Sequence, residues 1–192
     1  DAHAYQTELQ RKMTALADDF SQGKINRQQF DAVYAHYRDQ RQLIEGLIRS
    51  MAADAWRKAV TPGQTGMLME RHAAHLLSCA LYDNATAALL AASPRFQLDA
   101  EVVAPVIAAH LQTASRGTHA SSLPAPAEHW LHFVPGQYST LVVVFTREPA
   151  RSQWQFLHDL HHDFELASAR RLTDGRGREA AEAFMRTWAL ED

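Results

Sequence analysis

One cysteine, Cys79, is all that 192 residues contain, so no disulfide can form within the chain. It lies in SCALYD, an apolar, strand-like run. That setting predicts a buried, inert thiol rather than a nucleophile, and a reducing, cytoplasmic compartment. No apolar run approaches the ~20 residues that a membrane-spanning helix needs. Lysine and arginine number 19 against 22 acidic residues, a net charge of −3. The basic excess of a nucleic-acid binder is missing. Glycine is sparse, with eight in all, and no stretch matches the phosphate-cradling patterns G-x-x-x-x-G-K-[ST] or G-x-G-x-x-G. GRG at 175–177 is too short for that work and is read as a helix end. No G-x-S-x-G elbow occurs, and no serine or cysteine stands beside an evident activating base. On these grounds no catalytic residue, no metal ligand and no cofactor is assigned, and the chain is not expected to be an enzyme.

What is present is ordinary globular material, 46% apolar and 21% charged. The chain opens on Asp1 rather than methionine, as expected of a processed or excised piece. Residues 4–60 read as helical. Tyr5, Leu9, Met13, Leu16 and Phe20 repeat at three- and four-residue spacing. After SQGKIN a second stripe follows: Phe30, Val33, Tyr34, Tyr37, Ile44, Leu47, Ile48 and Met51. Asn26 with Gln29 is a capping-box start, and Gly23 suits the reversal. These features predict an αα-hairpin over 1–60. Two helices bury their stripes poorly alone, so a partner is expected.

TPGQTG at 61–66 is a breaker, and the domain boundary is placed there, with a second domain over 67–192. MLMERHAAHLL predicts a short helix. LSCALYD and AALLAAS predict strands around a turn at Asp83-Asn84. Asp99 is a cap for a helix to about Thr113, with a kink or later start at Pro105. Residues 115–128 read as loop, with a short strand near 118–123 as an option. HWLHFV (129–134) and YSTLVVVFT (138–146) are the clearest strands, joined by PGQ. SQWQFLHDLHHDFELASARRL is a long helix. A last amphipathic helix carries Ala181, Phe184, Met185 and Trp188. The fold class is α+β: a helical hairpin, then an antiparallel sheet flanked by helices in the order α-β-β-α-β-β-α.

Two stretches resemble ion sites. DDFSQGKINRQQ (18–29) can be laid on a calcium loop with Asp18 first, Gly23 sixth and Ile25 eighth. Phe20 then stands where a ligand is needed, Lys24 adds positive charge, and Gln29 replaces the bidentate glutamate, so calcium binding is not expected. H-D-L-H-H places His158 and His162 one helical turn apart, as in zinc hydrolases. Asp159 is a methylene too short for the usual general base. A third ligand could be Glu165, His129 or His132, and the sequence selects none. On a helical wheel Phe156, Leu157, Leu160, Phe164 and Ala167 share one face. His158 and His162 lie nearly opposite and His161 at the edge. The motif is therefore read as a polar outer face, open to docking, rather than a metal site. His129 and His132 should point to opposite sides of a strand. His72 and His75 flank the short helix. His110 falls beside Val106, Ile107 and Leu111, as a core or interface histidine rather than a haem ligand. Trp56, Trp130, Trp154 and Trp188 are read as packing residues.

The element order from residue 67 resembles the profilin-like group of sensory and scaffold domains: roadblock, longin, PAS and GAF. Roadblock is favoured, because the unit is short and both opens and closes with a helix. The turn G-K-I-N-R-Q-Q-F also resembles the SHOCT-type helical motif, with Asn26 and Gln29 departing from its usual pattern. Together these resemblances imply a non-enzymatic, homo-oligomeric interaction or scaffold module of bacterial signalling or cell organisation. A small GTPase is one possible protein partner that the resemblance implies. The alternative is a GAF- or PAS-type sensor. Its ligand would sit between the 129–146 sheet and the 99–113 helix, under a lid formed by 115–128. A metal-dependent enzyme using His158 and His162 is the third reading.

Overall fold

A computed structural model describes residues 2–49, 63–114, 121–125 and 128–187. Trp56, Trp188, Met51 and the rest of the expected second helix beyond residue 49 lie outside the described residues, as do 115–120 and 126–127 of the expected loop. So do the side chains of Leu47, Ile48, His110 and Leu111. Two compact units emerge. One holds the chain up to Ala74 with Pro149–Ser152; the other holds His75–Glu148 and the chain from Gln153 onward.

The first unit contains α1 (Ala2–Ser21), α2 (Arg27–Arg49) and α3 (Gln64–Arg71). The stripes read from the sequence meet: Leu9, Met13 and Leu16 of α1 bury against Val33 and Tyr37 of α2, with Ile25 from the turn. Phe20, at the end of its stripe, is partly exposed and stacks on Phe30 with ring centroids 4.7 Å apart. Gly23 turns the chain with φ +71°, a conformation that a β-carbon strains.

The capping box is formed in full. The Gln29 N–H donates to Asn26 Oδ1 at 2.8 Å, and the Asn26 N–H donates to Gln29 Oε1 at 2.9 Å. Each cap side chain keeps an amide group for other work. Asn26 Nδ2 donates to the His72 carbonyl and Gln29 Nε2 to the Met69 carbonyl, both at 2.9 Å. These bonds tie the end of α3 to the start of α2. The division between units accordingly falls after Ala74, beyond the TPGQTG breaker, and α3 goes with the hairpin.

The second unit contains β1 (Leu76–Asp83), β2 (Leu89–Ala92), α4 (Ala100–Ala114), β3 (Ser121–Pro124), β4 (Trp130–Pro135), β5 (Ser139–Phe145), α5 (Arg151–Thr173) from Gln153 onward, and α6 (Gly177–Thr187). The strands form one antiparallel sheet in the order β2-β1-β5-β4-β3. The class is therefore α+β, with six helices and five strands among the described residues. The optional strand is real: Ser121–Pro124 pairs with Trp130–Phe133. β5 is central and buried along its whole length, which explains its unbroken apolar run, LVVVF. α4 begins at Ala100, where Asp99 Oδ1 accepts the Glu101 N–H at 3.1 Å, and it continues through Pro105 rather than starting after it.

Alternation along the strands sorts side chains to two layers. Ala80, Tyr82, Phe133 and Val142 meet Val103 and Ile107 of α4. The opposite face carries Cys79, Leu81, His132, Val134, Ser139, Leu141 and Val143, by register with Ser139. That is the side of α5 and α6: His132 lies beside Trp154, and Cys79 Sγ is 3.6 Å from Met185 Sδ. No described helix is long and apolar enough to cross a membrane.

Candidate functional site

A buried polar cluster in the second unit lies where the β4–β5 turn meets α5. α5 buries Leu157, His161, Phe164, Glu165 and Ser168. That face is rotated by roughly 80° from the one the apolar letters imply, at 3.6 residues per turn. Phe156 and Ala167 are exposed instead. The cause is Glu165. Its carboxylate is 5% exposed, and a buried charge is tolerated only when its lone pairs are filled. Here they are. Oε2 accepts the Gln137 N–H at 2.7 Å. Oε1 accepts the Tyr138 N–H at 2.9 Å, the Ser139 N–H at 2.7 Å and the Ser139 hydroxyl at 2.8 Å. The side chain caps the turn, and filling those bonds sets the rotation of the helix.

The turn is held from the other side by Asn84. Its N–H donates to the Tyr138 carbonyl and its Nδ2 to the Gly136 carbonyl, both at 2.9 Å, while Oδ1 accepts the Thr140 hydroxyl at 2.7 Å. Gly136 closes the turn through its N–H to the Ser139 carbonyl at 2.8 Å. A β-carbon at 136 would collide with the Glu165 carboxylate, so glycine is required there by space.

Ser139 Oγ also lies 2.9 Å from His161 Nε2. Serine, histidine and glutamate side by side suggest a nucleophilic triad, but the hydrogen-bond order is different. In a triad the hydroxyl donates to the imidazole and the acid orients the imidazole's other nitrogen. Here the one hydroxyl proton goes to the anionic acceptor, Glu165, because charge-assisted bonds are stronger. Oγ must then accept from His161, which makes Nε2 the protonated nitrogen of a neutral ring. Burial holds the His161 imidazole well below its ordinary range; His158 and His162 push the same way and Glu165 pushes against. Glu165 Oε1 is 3.9 Å from that same Nε2, beyond hydrogen-bond reach. With the ring neutral the contact is not an ion pair. Ser139 is 0% exposed and His161 1%, so no substrate reaches the hydroxyl. This cluster fastens the turn to the helix.

Beside it is a cleft of about 350 Å³, lined by Pro135, Gly136, Gln137, Tyr138, His158, His161, His162, Glu165, Leu166 and Ala169. His158 is half-buried and His162 exposed. Both therefore stand on a cleft wall, with His162 open to solvent as the wheel placed it. The candidate third ligands do not join them. Glu165 is spent on the turn, and neither His129 nor His132 lines the cleft. Among the described residues no group of three or more His, Cys, Asp or Glu side chains could hold a metal ion. Burial, with a smaller push from His158, lowers the His132 imidazole to about 4. Cys79 is fully buried, and desolvation raises its thiol to about 11 despite a bond from Ser93.

Between the sheet and α4, the side expected for a sensor ligand, Ala80, Tyr82, Val103, Ile107, Phe133 and Val142 pack together. Sequence reasoning missed Gly136 and Ser139, and weighed Glu165 only as a metal ligand. The available signal was a buried-strand start, Y-S-T, directly after a P-G turn. No protein-family profile, curated protein or solved structure matches the chain significantly.

Proposed function

We propose that this chain is a non-enzymatic interaction module of bacterial signalling or cell organisation, acting as a homodimer. The observation that carries the reading is on α5: Phe156 is 64% exposed, and Leu166, beside His162 in the cleft lining, is 66% exposed. Apolar side chains left in water support a surface that another protein covers where they join into one patch, and these two are the support for that reading. The buried serine, histidine and glutamate support the same reading, since all three are consumed in holding the turn. The roadblock resemblance of the element order, with one antiparallel sheet and helices on both faces, adds a small GTPase as a further partner class. Side chains packed between the sheet and α4 weigh against the sensor alternative.

Size-exclusion chromatography with light scattering tests this on wild type and on a Phe156→Asp, Leu166→Asp double variant. A concentration-dependent dimer that the double variant loses is the expected result. A monomer at every concentration up to the millimolar range overturns the homodimer.

A further inference from the structure

We propose that His158 and His162 form an open, two-histidine site for a borderline divalent transition-metal ion, Zn²⁺ first, on the wall of the cleft between the β4–β5 turn and α5. The two residues are four apart within an unbroken helix, Arg151–Thr173. That spacing sets their β-carbons about 5–6 Å apart on one face, from which two imidazoles reach a single ion. Both rings line the same cleft. Neither is hydrogen-bonded among the described residues, so each keeps a nitrogen lone pair to give.

The neighbouring donors are already used. His161 is buried and holds Ser139 through Nε2, and the Glu165 oxygens accept four hydrogen bonds. With two protein donors, the rest of a tetrahedral shell falls to water or to a donor from outside the chain. Imidazole suits zinc, copper and nickel and is a poor ligand for calcium or magnesium. The site is thus an ion-docking position rather than a closed structural zinc centre. It does not require the homodimer, although Leu166 of that surface lines the same cleft; loss of the dimer with zinc binding intact would sink only the homodimer.

The test is calorimetric titration of ZnCl₂ into the full chain, prepared without a histidine tag, with Co²⁺ absorption as a second readout. One equivalent should bind. His158→Ala and His162→Ala should each weaken that binding by about tenfold or more, while His36→Ala, on the other unit, should leave it unchanged. His162 is exposed, so its variant should keep the wild-type melting temperature without metal, which separates loss of binding from loss of fold. No saturable binding in wild type, or full binding in both single variants, overturns the site.

Discussion

Glu165 Oε1 accepts both the N–H and the hydroxyl of Ser139, at 2.7 and 2.8 Å, across 26 residues of chain. One carboxylate thereby joins the start of the central strand to the middle of α5. Removing its charge tests how much of the unit's stability rests on that join. Glu165→Gln keeps the size, but its amide group turns donor toward donor. The expected loss is about 3 kcal/mol of unfolding free energy, read from urea titration. A loss under about 1 kcal/mol would contradict the capping role.

Gly136 and Glu165 share one small space. Gly136→Ala should destabilise the protein by about 1–3 kcal/mol, because the new methyl lands on the carboxylate. In a Glu165→Ala background the same methyl has room. The double variant should therefore lose clearly less than the sum of the two single losses. Simple additivity in the unfolding data would show that the clash is not the cause.

Cys79 should be silent in the native state. It is fully buried and its thiol is raised to about 11, so little thiolate exists near neutral pH and no reagent reaches it. Ellman's reagent at pH 7.5 should titrate no thiol until guanidinium is added, and then one per chain. Rapid native labelling would mean that α6 leaves the sheet far more often than its packing implies.

His132 should make the fold acid-sensitive. Its folded value of about 4 lies below the ordinary 6.5, so the unfolded chain takes up the proton first. The stability it contributes is complete above about pH 6.5 and declines as the pH falls toward 4. The drop from 6.5 to about 4 corresponds to roughly 3–3.5 kcal/mol as an upper bound. His158 on α5 adds to the shift as the smaller cause, after burial. Chemical denaturation at pH 7.5 and pH 4.5 should show a smaller acid loss in His132→Phe than in wild type. An equal loss in both proteins would remove His132 as a cause.

Much of the architecture was legible locally. The stripes from Leu9 to Tyr37 and the Asn26–Gln29 box are patterns within one or two helical turns, and such patterns report backbone preference directly. β4 and β5 were legible because both are short apolar runs bounded by turn residues. The ownership of α3 was not: it depends on which carbonyls the leftover amides of Asn26 and Gln29 find, some 40 residues away.

The rotation of α5 shows the same limit more sharply. By itself the sequence determined that 151–173 is a helix and that it has apolar residues to bury. Only the tertiary structure decided that Glu165 and His161 go inward and Phe156 outward. A hydrophobic wheel counts apolar area, which has no direction, whereas a carboxylate facing three backbone amides and a hydroxyl has a strict one. Satisfying that buried charge outweighed leaving one phenylalanine in water, and it turned H-D-L-H-H from an outer face into the wall of a cleft.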